Sequence, residues 1–292
     1  MPQPFSSPRV VCRHALPRDK ADVLEFTKFT WDDGDYIQYV WDDWYADPNG
    51  ILATAEYGGH CVGIAKVSLS APGQWWLQGF RVDPKFQDLR IGSHIHDYVD
   101  WWWLKNGGGV ARLMTSSKRV KVHHLCEKLG YVKALVMKEL EAPVLDEACD
   151  SFQLVRPGEL PDAIQTVLNA PVLISANGLI DLGWDVVLPN EEILLSIQQK
   201  SRALWWHDRE GLLLTWELGE SQSLGISLPA CEMESLPALL LDVRRLAALQ
   251  GYTGIFWIAP LKDKILSAAE TAGYVHHREH DNYLYEKHHP LS

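Results

Sequence analysis

Two hydrophobic periods alternate along the chain. Ile51 to Glu56, Cys61 to Leu69 and Trp75 to Val82 are short runs rich in apolar residues, and they predict three strands. Gly58-Gly59 predicts a hairpin turn between the first two. Ahead of them, Val10 to Arg13 predicts a strand, and Val23, Phe26 and Phe29 fall at helical spacing. Behind them, Ile95, Val99 and Trp102 repeat the helical spacing. Val110 to Thr115 then predicts a strand, and Val122, Leu125, Cys126 and Leu129 a helix that stops at Gly130. A last strand falls near Ala134 to Leu140. The order is strand, helices, three strands, helix, strand, helix, strand, which predicts α+β with a mixed sheet.

The pattern occurs twice. Thr253 to Ile258 reads as a strand, Ile265, Ala268, Ala269 and Ala272 as a helix stripe, and the stripe stops at Gly273-Tyr274-Val275 as the earlier one stops at Gly130-Tyr131-Val132. Asn282 to Glu286 reads as a closing strand. The starts of the halves rhyme as well. Phe152 to Arg156 precedes Pro157 and a helical run through Ile164, Val167 and Leu168. The acidic, proline-bearing stretch Glu141 to Glu147 lies between the halves. The expected domains are residues 1–144 and 145–292.

The stretch with the most chemistry is Gly79-Phe80-Arg81-Val82-Asp83-Pro84-Lys85-Phe86-Gln87-Asp88-Leu89-Arg90-Ile91-Gly92-Ser93. Pro84 has no ladder donor and ends the strand. A short polar turn follows, and Ser93 is expected to open the next helix. Bare N–H groups at a helix N-terminus make a ready anion site. The stretch resembles motif A of the GNAT acyltransferases, a strand ending Val-x-Pro, then Gln/Arg-x-x-Gly-x-Gly/Ala, then a helix. Gln87, Ile91 and Gly92 fit the pattern, and Arg90 stands where the family has its first glycine.

The resemblance covers about residues 10 to 140, and the second half follows through the repeat. It implies tandem GNAT folds, each a central mixed, twisted β-sheet flanked by helices. It implies acetyl-coenzyme A as co-substrate, held by Phe80, Arg81, Val82 and the turn Gln87, Asp88, Leu89, Arg90, Ile91, Gly92 and Ser93. The reaction implied is direct transfer of an acyl group to an amine, with the Phe80 backbone N–H as oxyanion donor. The alternative is a non-catalytic acyl-coenzyme A binding protein. It draws on two departures. The strand positions where the family carries a glutamate base hold Trp76 and Gln78, and Cys126 stands where the family has a tyrosine acid, in Leu125-Cys126-Glu127-Lys128-Leu129-Gly130-Tyr131. A thiol can donate a proton to a thiolate of similar pKa; a small hydrophobe on an apolar stripe is the other reading of Cys126.

Registering the halves on Gly130 and Gly273 sets Ala230 to Ser235 against the phosphate turn, with Glu232 and Glu234 facing a pyrophosphate of like charge. The second copy is therefore expected to be degenerate. On the acceptor side, Trp31, Asp32, Asp33, Asp35, Tyr36, Trp41, Asp42, Asp43 and Trp44 mix carboxylates with aromatic rings. That mixture suits a cationic amine, through pairing and cation–π contact. A solvated acidic face over core aromatics is the competing reading.

Composition narrows the rest. The chain has 292 residues, is 47% hydrophobic and carries a formal charge of −11. The acidic balance argues against general nucleic-acid binding. Five cysteines without ligand spacing imply neither a metal nor a disulfide framework. No apolar stretch is long enough to span a membrane, and Met1 to Pro8 has no signal-peptide pattern, so the expected setting is cytoplasmic. The tryptophan pairs and triplets, Trp101-Trp102-Trp103 and Trp205-Trp206, are expected to point outward in part, as a seam that packs the halves or forms a homodimer.

Overall fold

The structure is a computed structural model, and it describes residues 9–28, 30, 34–217 and 222–290. Its contacts divide the chain into two units, Met1–Leu113 with Lys287–Ser292, and Met114–Glu286.

The first unit runs β1 (Val11–His14), α1 (Asp19–Thr27), α2 (Ile37–Ala46), β2 (Ile51–Tyr57), β3 (His60–Ala71), β4 (Gln74–Val82), a 3₁₀ turn (Pro84–Leu89), α3 (Ile91–Lys105) and β5 (Gly109–Ser116), the last belonging to it as far as Leu113. The strands lie in the order β1-β2-β3-β4-β5. The first three pairings are antiparallel and β4–β5 is parallel. Gly58 and Gly59 both take positive φ, at 61° and 87°, so the predicted hairpin turn is present. Successive side chains of β3 face opposite ways. Ile64 joins the buried cluster of Val23, Ile37, Trp41, Trp44 and Leu52 beneath α1 and α2. Gly63 faces α3 so closely that a Cβ there would lie 2.7 Å from Ile95. Arg13 fastens the sheet edge, donating to Asp19 at 2.7 Å and to Glu56 at 2.6 Å.

The second unit holds α4 (Val120–Lys128), β6 (Val132–Pro143), β7 (Phe152–Leu154), α5 (Leu160–Asn169), α6 (Pro171–Ser175), β8 (Ile180–Asp181), β9 (Val186–Val187), α7 (Glu191–Gln199), β10 (Ala203–Trp206), β11 (Gly211–Glu217), β12 (Ser223–Ala230), α8 (Leu236–Leu249), β13 (Gly254–Pro260), α9 (Asp263–Thr271), β14 (Val275–His276) and β15 (Asn282–His289), the last as far as Glu286. Its sheet runs β15-β6-β13-β12-β11-β10-β7, with β12–β13 parallel, β14 paired to β6, and β8–β9 a separate hairpin.

The fold is the expected mixed α/β class, with mixed sheet flanked by helices. The predicted repeat is present bond for bond at its helix ends. Gly130 and Gly273 take φ of 83° and 82°, and the Tyr131 and Tyr274 N–H groups bond Cys126 and Ala269 carbonyls, each at 2.9 Å. Two details differ from expectation. The helix after the polar turn starts at Ile91, two residues before Ser93, because Arg90 itself makes the turn. Trp205 and Trp206 are both buried, since β10 lies between β7 and β11; their indole N–H groups bond Glu159 at 3.2 Å and Asp242 at 2.8 Å.

Candidate active site

One strand organises the site. β4 pairs with β5 only from Gln74↔Val110 to Trp76↔Arg112. From Leu77 to Val82 it has no strand partner on that side among the described residues. On its other side the register to β3 slips by one residue between Ile64↔Arg81 and Lys66↔Gln78. The extra residue is a β-bulge around Gly79, whose φ is +62°. Glycine is required there twice over. The left-handed backbone favours it, and a Cβ would lie 2.4 to 2.5 Å from the Trp44 ring. The bulge bends β4, and from Phe80 to Val82 no strand lies beside it on the β5 side among the described residues, so an extended ligand can lie along that edge. Sequence reasoning missed the role of Gly79; the available signal was a lone glycine inside an apolar strand pattern.

Beyond Val82 the chain turns at once. Asp83 caps the 3₁₀ turn, its carboxylate accepting from the Lys85 N–H at 2.9 Å, and Pro84 sits at the first position. Gln87, Asp88 and Leu89 complete the turn, the side chains of the first two lying outside the description. Arg90 then adopts φ 54° and ψ 26°. It supplies the left-handed residue with an arginine, at the very position where glycine is usual. Ile91, Gly92 and Ser93 follow as the first turn of α3, and their N–H groups have no partner within the helix. A Cβ on Gly92 would touch only the Phe80 ring at 3.4 Å and Val82 at 3.9 Å, both ordinary contacts. Its φ is not left-handed either. Nothing inside the protein asks for glycine at 92, whereas close approach of a ligand to the helix end would.

The wall beside the bulge comes from the chain ahead of α2. The Arg81 guanidinium donates to Asp35 at 2.8 Å and to the Phe80 carbonyl at 3.1 Å. The Asp35 side chain is 2% exposed, so this pair is enclosed. The second Asp35 oxygen accepts from the Ile37 N–H at 3.1 Å and so also holds the start of α2. Arg81 lies over the Tyr36 ring, 5.6 Å from its centroid. Tyr36 meets Trp44 edge-on at 5.8 Å.

The other predicted residues fall elsewhere. Trp31, Asp32 and Asp33 lie outside the described residues. Trp41 is 2% exposed in the core under α2 and lines no surface. Asp42 is exposed and bonded to Lys20 at 2.8 Å. Cys126 is buried in α4 of the second unit, and burial pushes its thiol up to about 12. Of the predicted acceptor-side residues, the structure brings Asp35, Tyr36 and Trp44 to the β4 bulge.

Residues 19–131 match the sequence profile of the Acetyltransferase (GNAT) family. They are a GNAT domain. The family is one of acetyltransferases, and membership supports acyl-coenzyme A dependent acyl transfer as the reaction class, with acetyl-coenzyme A as co-substrate. Solved structures share the fold along nearly the whole chain. A GCN5-related N-acetyltransferase from Sphaerobacter thermophilus is 15% identical with a TM-score of 0.67, 97% of each chain being covered. A tandem GNAT protein from the clavulanic acid biosynthesis pathway is 11% identical with a TM-score of 0.58, over 97% of this chain and 100% of that one. A GCN5-related N-acetyltransferase from Kribbella flavida is 11% identical with a TM-score of 0.55, over 97% and 71%. No curated protein matches the chain. Among the described residues no group of histidine, cysteine and carboxylate side chains could hold a metal, and no helix is long and apolar enough to cross a membrane.

The second unit repeats the strand geometry of the first. β12 and β13 pair from Ser223↔Gly254 to Ile226↔Trp257 and no further. A register slip against β11 leaves Ser227 as the extra residue. The difference lies at the helix. Aligning the starts of α3 and α8 sets Arg90 against Ser235 and Gly92 against Pro237, two residues away from the register drawn on Gly130 and Gly273. Pro237 removes an N–H from the first turn, and the Leu236 N–H is drawn to the Met233 carbonyl at 3.4 Å. Glu232 and Glu234 stand exposed just ahead of it.

Proposed function

We propose that this chain transfers an acyl group, most simply acetyl, from coenzyme A directly to the nitrogen of a small amine, and that only the repeat at residues 1–144 acts. The observation that carries this reading is the coincidence of a bulged, open-edged β4 with a glycine-bearing α3 N-terminus immediately after it. The N–H groups of Ile91, Gly92 and Ser93 would take the pyrophosphate, with the Gln87–Arg90 turn around it and the Arg90 cation beside it. The pantetheine arm would run along the β4 edge from Phe80 to Val82, where no strand pairs on the β5 side. The Phe80 N–H would face the thioester oxygen as charge develops on it. The repeat at 145–292 keeps the split strands but has lost a donor to Pro237 and gained like charge from Glu232 and Glu234. Its role in this reading is structural.

The acceptor is a small amine. Selection for a cation would rest on fewer carboxylates than the sequence offers, because Asp35 is held by Arg81 and Asp42 by Lys20. A second reading, a non-catalytic acyl-coenzyme A sensor, is favoured by one observation: Trp76 is buried and Gln78 does not titrate, so β4 carries no base.

Two measurements decide. Calorimetry with coenzyme A is expected to give one site per chain; two sites would overturn the account of the second repeat. Thiol release from acetyl-coenzyme A is then followed with a panel of cationic, neutral and acidic primary amines. Turnover with any of them supports the enzyme. Binding without turnover supports the sensor.

A further inference from the structure

The sheet of the second unit ends on β7, which pairs with β10 on one side and has no strand on the other among the described residues. The Val155 N–H bonds the Ala203 carbonyl and the His207 N–H bonds the Ser151 carbonyl, each at 3.0 Å. Residues 151, 153 and 155 therefore turn their backbone groups toward β10, and Phe152 and Leu154 turn theirs outward. An open cleft of about 690 Å³ lies against the strand, lined by Ser151, Gln153 and Leu154 with Trp205 behind them. Leu154 is 52% exposed there. Outward backbone beside an exposed leucine is a template for another strand. Two charges flank it, Asp150 before and Arg156 after. Both are exposed, and neither has an ion-pair partner among the described residues. Arg156 keeps extended backbone, with φ −79° and ψ 154°, so it continues the line of β7.

We propose that β7 is a dimer interface, pairing antiparallel with β7 of a second copy about a two-fold axis at Gln153. An antiparallel pair must set outward-facing residues against each other. With the axis at Gln153, Phe152 falls opposite Leu154 of the second copy, and each such pair exchanges both of its backbone bonds. The same register sets Asp150 opposite Arg156 of the second copy at both ends, because each stands three residues from Gln153. The two neighbouring registers that also match outward groups have their axis at Phe152 or at Leu154. They set Asp150 against Leu154, or Arg156 against Phe152, and leave the charges unmatched. Charge thus selects one register of the three. At the axis the two Gln153 side chains meet, and a glutamine amide both donates and accepts, so it complements its own copy. The exposed Leu154 side chain is covered by the Phe152 ring of the second copy. Such a dimer gives the second repeat a task of its own.

The test is sedimentation of the full chain across micromolar concentrations. The wild type is expected to pass from monomer to dimer as concentration rises, and to dissociate as salt is added. Asp150→Arg and Arg156→Asp are each expected to raise the dimer dissociation constant at least about ten-fold, because like charges then face each other at both ends. The two variants are then mixed in equal amounts, one of them carrying a fluorescent label. The mixture is expected to associate within about three-fold of the wild type, because each end again sets arginine against aspartate. A folding fault in either variant would persist in the mixture, so recovery reports contact between copies. Leu154→Pro removes an N–H that faces outward and leaves the bonds to β10 in place. It is expected to stay monomeric while melting as a folded protein. A wild type that remains monomeric throughout would overturn the proposal and leave the edge to a strand of another partner. A dimer that both charge variants leave intact would overturn it too, as would one that their mixture fails to restore.

Discussion

Arg90 and Gly92 invert the usual roles of their residue types. Arg90 carries the left-handed backbone that glycine adopts freely, at about 1 kcal/mol for a side chain. Gly92 carries helical backbone that nearly any residue adopts, and a Cβ there meets only ordinary contacts. Substitutions at the two positions should therefore diverge. Arg90→Gly is expected to unfold in urea at least ~1 kcal/mol harder than Arg90→Ala, the reverse of the helix-propensity order. Equal midpoints would show that the left-handed turn is relaxed in solution. Gly92→Val should melt within a few degrees of the wild type yet bind coenzyme A at least about ten-fold more weakly, because the side chain would stand where phosphate approaches. Unchanged affinity in the folded variant would move the phosphate elsewhere.

At the level of elements, the β4 bulge ties the site to the core. Gly79→Ala would force a side chain into left-handed backbone and into the Trp44 ring, which the α2 cluster backs. Its cost is expected to be about 2–4 kcal/mol, the scale of a strained and overpacked position, with coenzyme binding lost as β4 straightens. A variant of wild-type stability by urea titration would mean that Trp44 has room to move. This element also marks where sequence reading stops. Strands, the Gly58-Gly59 hairpin and the Gly130 and Gly273 stops were legible because each depends on period or on a residue's own φ. The turn at Gln87–Ser93 was legible because its residues are consecutive. The bulge was not, because slippage is a property of two strands and Gly79 alone does not reveal it. Nor was the Asp35–Arg81 pair, which spans 46 positions. Without it, the acidic segment reads as a free cation site, and Tyr36 as one aromatic among several.

The two units answer acid in opposite senses, which makes their independence measurable. His96, buried on α3 in the first unit, is held at about 4 by burial first and by Lys287 and His289, against the pull of Asp97 and Asp100. Unfolded, it would titrate near 6.5 and bind a proton that the folded unit refuses. The first unit is thus fully stabilised above pH 6.5 and loses stability as pH falls toward 4, by on the order of 3 kcal/mol. Asp181, buried in the β8–β9 hairpin of the second unit, is held at about 7 by burial, against bonds from the backbone at Trp184 and Gly183. Unfolded, it would titrate near 3.8, so here the folded state binds the extra proton. The second unit gains stability as pH falls from 7 toward 4, by a similar order. His280 opposes this, its pKa being lowered by burial first, but it is half-exposed and its effect is smaller. Hydrogen exchange at pH 5 and pH 7, corrected for the chemical rate, should show α3 and β3 peptides less protected at pH 5 and β8, β9 and β12 peptides more protected. His96→Asn should flatten the first response and Asp181→Asn the second, each leaving the other in place. A common direction in both sets of peptides would mean that the units unfold as one, and that neither buried group sets its unit's stability alone.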